Sequence, residues 1–333
     1  MKIKNLLLLF VFFFGCEDKN NDQQLIDNGG VAVDTWGQIT SEEPKVFSAN
    51  DVSQQTIDLT LKWYNVGAKE WGNYGPLEIW IVGNSKEAAK DLDKLWCEKR
   101  LEIDTDWNIK WDCANGDPYV SGDGWSPFYN FVNDGGAAAG TFRRDYFSYH
   151  FMTITMSSKY PSPDEDDYKP ATLHEYFHVY QHSHISDIET NGNKEPRRSK
   201  MGGNGKPWFS EGSAEYMAQL LYSKQTGIKS GYLKERMGWK FSTVGDYKTS
   251  GKRLEEITYS DPVNAYDVGA WFIAYLVHKK GEDVLVKDFY GDLDKLGFEG
   301  SFLKHYGKSS KEYVDDFNLF LDLGITEALK IIP

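Results

Sequence analysis

Residues 174–178 read His-Glu-Tyr-Phe-His. Positions i and i+4 of a helix share one face, about 5–6 Å apart at Cβ, so His174 and His178 can offer two imidazoles to one divalent ion. Glu175 projects beside them, where it can take a proton from a water that the ion activates. A catalytic zinc wants three protein ligands and one open position. Two residues compete for the third place. Glu211 lies in Trp208-Phe-Ser-Glu-Gly-Ser-Ala-Glu215-Tyr216, and His184 lies six residues after His178. Glu211 and Glu215 are again an i, i+4 pair. Glu211 can therefore bind metal while Glu215 accepts an N–H from a ligand imidazole, an acceptor that ligand histidines generally have.

These segments resemble the gluzincins, the zinc-peptidase clan of thermolysin and aminopeptidase N. His174-Glu175-x-x-His178 is similar to the first motif of that clan, and Trp208 to Glu215 is similar to its Trp-x-x-Glu-Gly-x-Ala helix. The resemblance implies one zinc per chain on His174, His178 and Glu211. It also implies Glu175 as general base and Glu215 as the acceptor that holds a ligand histidine. Tyr266-Asp-Val-Gly269-Ala270 is similar to the Tyr-x-x-Gly-Ala of the aminopeptidase N family, which implies that Tyr266 donates to the oxyanion. Residues 145–325 carry the resemblance. The chain departs from it in the long stretch between His178 and Glu211 and in lacking Gly-x-Met-Glu-Asn. The alternative is a metzincin-type site with His184 as third ligand; that resemblance implies a glycine three residues after the second histidine, to turn the chain off the helix, and this chain has Gln181 there.

The elements that must position these residues can be read from pattern. Leu77–Val82, apolar but for Glu78 and entered through Gly75-Pro76, predicts a buried strand. Ser85 caps a helix to about Arg100. Phe147–Met156 predicts a second strand, expected as the edge strand on which an extended peptide could pair. Gly135–Gly140 reads as a loop. Helices are expected over 170–182, 207–222 and 261–280, the last opened by Asp261-Pro262, with a long loop over 186–206. Ser309-x-x-Glu312 is a capping box for a final helix. The fold expected is α+β and zincin-like. A mixed sheet with helices comes first, a mainly helical lobe follows, and the cleft lies between them.

The chain has 333 residues, 40% of them hydrophobic, with formal net charge −13. That acidity argues against a nucleic-acid partner, which requires clustered Lys and Arg. Lys2 and Lys4 precede the apolar run Leu6–Phe14, which is too short to span a bilayer and suits a signal peptide. Gly15-Cys16 closes the run and resembles the lipobox of bacterial lipoproteins. That implies lipidation of Cys16, export, and anchoring to the outer membrane. The expected organisation is a signal over 1–15, a flexible tether over 16–44, an α/β lobe over 45–185 and a helical lobe over 186–333. An exported chain meets an oxidising compartment, so Cys97 and Cys113 are expected to be bridged. The function expected is peptide-bond hydrolysis by a monomer acting on peptide or protein. A non-catalytic surface lipoprotein holding peptide or glycan with its many aromatics is the other class.

Overall fold

The computed structural model describes residues 35–103, 127–145 and 149–333. Its first half holds β1 (Gln38–Ile39), β2 (Lys45–Ser48), α1 (Gln54–Trp71), β3 (Tyr74–Gly75), β4 (Leu77–Val82), α2 (Lys86–Ile103), α3 (Pro127–Asp134), β5 (Ala137–Phe142) and β6 (Phe151–Ser157). The second half is helical. It comprises α4 (Tyr168–Ser183), α5 (Glu195–Lys200), α6 (Ser210–Ser223), α7 (Tyr232–Lys240), α8 (Val244–Ser250), α9 (Ala265–Lys280), α10 (Tyr290–Tyr306) and α11 (Ser310–Leu321). The architecture is α+β with a small mixed sheet. No helix among the described residues is long and apolar enough to cross a membrane.

The sheet runs in the order β2-β4-β6-β5, with β2, β4 and β6 parallel and β5 antiparallel at the edge. Every residue of β4 is buried, as a parallel strand covered on both faces requires. Its one charge, Glu78, is neutralised by Arg100 of α2 at 2.6 Å and accepts from Trp80 Nε1 at 2.9 Å. A main apolar core runs from Trp36 to Ile332, and a second cluster around Trp80 and Trp96 fills the other face of the sheet. Phe177 and Tyr180 pack against Tyr290, so the main core crosses the 185/186 boundary.

Four expectations are corrected. The strand read over 147–156 spans Phe151–Ser157, with residues 147 and 148 outside the described ones, and it is interior rather than an edge. The edge is β5, in the Gly-Gly-Ala-Ala-Ala-Gly stretch read as a loop. Small residues have low strand propensity, and here pairing with β6 overrides it. The helix expected from Asp261 begins at Ala265, because Asn264 caps it by accepting from the amides of Tyr266 and Asp267. The tether expected through residue 44 is already docked at Thr35. Trp36 is buried and donates to the Ile185 carbonyl at 3.3 Å, and β1 pairs with β3.

Two helix contacts place the site. Gly67 of α1 lies against α4, where an added Cβ would sit 2.7 Å from Tyr176 Cδ1. Gly212 of α6 meets Gly269 of α9 so closely that a Cβ on Gly269 would lie 2.2 Å from the Trp208 carbonyl oxygen. The two glycines of the sequence motifs therefore let α6 and α9 touch, which brings Tyr266 alongside Glu211.

Candidate metal centre

Helix α4 is buried at every residue from Thr172 to His182. A helix apolar on all sides would need no explanation there. This one carries His174, Glu175, His178, Gln181 and His182, and buried polar groups need partners.

Their partners fix the tautomers. A backbone carbonyl can only accept, so the Gln181 atom 2.9 Å from the Ser210 oxygen is its NH₂. The Gln181 carbonyl then faces His178 Nδ1 at 2.7 Å, and Nδ1 carries the hydrogen. Gln181 is itself held by Ser213 Oγ at 2.8 Å and Tyr290 OH at 2.9 Å. His174 Nδ1 donates to Glu215 Oε2 at 3.1 Å. The other Glu215 oxygen takes Lys240 Nζ at 2.8 Å and Gln219 Nε2 at 3.1 Å. Both Nε2 atoms are thus the lone-pair nitrogens, and they point at each other 3.1 Å apart. Glu211 Oε2 completes the triangle, 3.2 Å from His174 Nε2 and 3.0 Å from His178 Nε2.

Three acceptors converging without a donor repel unless a cation or a proton sits among them. A tetrahedral zinc with bonds of about 2.0–2.1 Å holds its ligands about 3.3–3.4 Å apart. The observed triangle is slightly tighter and of the right donor chemistry, so these residues fit that ion. Among the described residues this is the one such cluster of His, Cys, Asp and Glu. In the metal-free chain, burial disfavours the imidazolium of His174. Hydrogen bonds to Glu211 and Glu215 outweigh it and push its pKa up to about 10. His178 is raised in the same way, with burial opposed by Glu211. Burial also works against the charge of Glu211 and Glu215. It loses to the histidines at Glu211, and to Lys240 and His174 at Glu215, so both carboxyls lie far below their usual range.

Glu175 stands beside the triangle with its pKa raised, chiefly by burial, and takes a hydrogen bond from the Ala139 amide of β5. It lines a cleft of about 490 Å³ with His174, Ala137 and Tyr266. Tyr266 is 36% exposed, and its ring stacks on His174 with centroids 6.1 Å apart.

His184 is not in the cluster. It ends α4, with Nδ1 bonded to the Tyr180 carbonyl at 2.8 Å and its ring packed among Tyr74, Tyr180 and Tyr290. Cys97 is disulfide-bonded, while Cys113 and Cys16 lie outside the described residues.

Two supporting residues were not read from the sequence. Gln181 entered only as a misplaced glycine, yet its i+3 spacing from His178 is a usable signal for an acceptor. Tyr259, whose hydroxyl donates to Glu211 Oε1 at 2.7 Å, comes from a loop and has no spacing signal. Comparison with protein-family models, curated proteins and solved structures finds no match to this chain.

Proposed function

We propose that this chain is a zinc-dependent peptide hydrolase with a gluzincin-type ligand set. The observation that carries the reading is the triangle of His174 Nε2, His178 Nε2 and Glu211 Oε2, all lone-pair atoms by their backing hydrogen bonds, with Glu175 beside it. A parallel sheet with one antiparallel edge strand against the ligand helix agrees with a zincin-like fold. The lipid anchor on Cys16 and export to a bacterial envelope belong to the same proposal.

A peptide substrate is supported by the open edge of β5. The Ser157 amide bonds the Gly136 carbonyl at 3.0 Å, which sets the phase of the antiparallel pair. Residues 138, 140 and 142 then pair into the sheet, and Ala137, Ala139 and Thr141 turn their backbone groups outward. An extended peptide can pair with the outward groups of Ala137 and Thr141 and with the Ala139 carbonyl, the Ala139 amide being held by Glu175. Zinc bound by the three ligands would polarise the scissile carbonyl and acidify the attacking water. Glu175, aimed by the Ala139 amide, takes the proton of that water as its oxygen bonds to the carbonyl carbon. The protonated carboxyl then delivers it to the leaving nitrogen as the C–N bond breaks. The Tyr266 hydroxyl donates to the carbonyl oxygen as charge builds on it.

Metal analysis and a peptide-library digest of the purified protein test this. One zinc per chain is expected, with cleavage stopped by a chelator and restored by zinc. A zinc-loaded chain that cleaves nothing across a broad library overturns the reading in favour of a binding protein.

A further inference from the structure

Beyond Thr141 the edge of β5 is closed. Glu189 donates to the Arg143 carbonyl at 2.9 Å and accepts from the Asp145 amide at 3.2 Å, so the 186–206 segment occupies the position a longer peptide would need. The closed end opens into a cavity of about 190 Å³ whose wall includes Ala139, Thr141, His182, Lys194, Arg197 and Arg198. The chain is acidic overall, yet the charge gathered here is positive.

The cations exceed their partners. Glu189 is shared by Arg144 at 3.8 Å, Lys194 at 3.9 Å and Arg197 at 4.0 Å, distances too long for hydrogen bonds, and its Oε2 is buried without a hydrogen-bond partner. Arg197 is 4% exposed. One of its amino groups donates to Thr141 Oγ1, and its Nε has no partner. His182 Nδ1 is also buried without one. Arg198 makes no ion pair among the described residues, and it lies near enough to weigh against the positive charge of Arg197, Lys194 and His182. A buried guanidinium with unmet hydrogen-bonding capacity, in a cavity whose cations share Glu189 without a hydrogen bond to it, has room for a further anion with oxygen acceptors.

We propose that this closed end is a carboxylate-binding subsite formed by Lys194, Arg197 and Arg198. It takes either an acidic side chain or the terminal carboxylate of the peptide lying on β5. Thr141 is two residues beyond Ala139, about 7 Å along the strand. The carboxylate therefore lies about two or three residues from the bond that is cut, and it selects where the peptide is cut. The inference rests on the hydrolase reading for the course of the peptide, while the binding itself does not depend on turnover.

The test uses the zinc-loaded Glu175→Gln protein and three matched peptides measured by calorimetry. One is neutral and C-terminally amidated, one carries an internal Glu with the amide, and one is neutral with a free C-terminus. At least one carboxylate peptide is expected to bind about tenfold or more tightly than the neutral amide. The peptide that gains shows whether the side chain or the terminus is read. Adding Arg198→Glu should erase the difference. Arg198 is half-buried and makes no salt bridge, so the fold should survive, as an unchanged Tm would verify. Lys194→Glu, at an exposed position, gives a second reading. Equal binding of all three peptides, no binding of any, or a preference that survives both reversals overturns the subsite. Digestion of the same peptides by the wild type is scored separately, because absence of cleavage there sinks the hydrolase reading whatever the binding result.

Discussion

On the α4–α6 side of the cleft, each group facing the metal triangle has another behind it. Glu215 backs His174, Gln181 backs His178 and Tyr259 backs Glu211, at 3.1, 2.7 and 2.7 Å. On the β5–α5 side the balance is reversed, and Arg197 Nε and His182 Nδ1 are buried with no partner. The first wall is preorganised, so ligands need not move to receive an ion, and its backing groups hold tautomer and angle. The second wall has hydrogen-bonding capacity left over, which a substrate can use. On the proposed reading, one side serves metal affinity and the other the choice of substrate, with Glu175 and Tyr266 between them.

Removing a ligand should break the first wall outright. Glu211→Ala is expected to lose zinc during dialysis against dilute chelator, while His184→Ala keeps one zinc per chain. Metal analysis showing the opposite pattern would mean a different third ligand. Glu175→Gln should retain zinc and Tm but lose about 10²–10⁴ in turnover, the usual range for a proton-transfer group. Unchanged hydrolysis in that variant would remove the proposed base.

Tyr266→Phe sharpens the boundary between the walls. Its ring stacks on His174, yet the hydroxyl is no ligand, so zinc content should not move. Turnover should fall about 10²–10³, equally in kcat and kcat/KM, because the interaction forms only in the transition state. A lowered Tm with normal kcat would assign the tyrosine to packing. Gln181→Met keeps the volume and removes the acceptor behind His178. Zinc affinity should drop about 10–100-fold in competition with a chelator dye, with a smaller effect on the chelator-free rate. Tyr259→Phe should be milder still, a few-fold in zinc affinity, since one hydrogen bond to Glu211 is lost and the carboxylate stays in contact with solvent.

Much of the inner wall was legible because its logic is local. His174 and His178, and again Glu211 and Glu215, are i, i+4 pairs, and helix geometry alone puts each pair on one face. Leu77–Val82 was legible as a strand because five of its six residues are apolar and Gly75-Pro76 marks its start. The capping box at Ser309 was legible for the same reason: its hydrogen bonds close within four residues. The edge strand was not, since Ala137–Phe142 has no intrinsic preference for extended structure and gains it from β6. Nor was the start of α9, read from Asp261-Pro262 but set by the Asn264 side chain, which accepts from the amides of Tyr266 and Asp267.

The sequence by itself thus determined the donor chemistry of the candidate ligands, because residue type and helical spacing are properties of a few consecutive positions. Tertiary structure alone decided that the two helices face each other across 3 Å, that Gln181 presents its carbonyl rather than its amide, and that His184 turns into an aromatic pocket. Those outcomes depend on partners far away in the chain: Ser210, Ser213 and Tyr290 for the glutamine, and the Gly212–Gly269 contact for Tyr266. The positive end of the cleft was also a tertiary result. Arg197 and Arg198 on α5 and the strand residue Thr141 are more than fifty positions apart, and the Arg197–Thr141 hydrogen bond together with the pairing of Glu189 beyond the end of the edge strand brings them to one cavity.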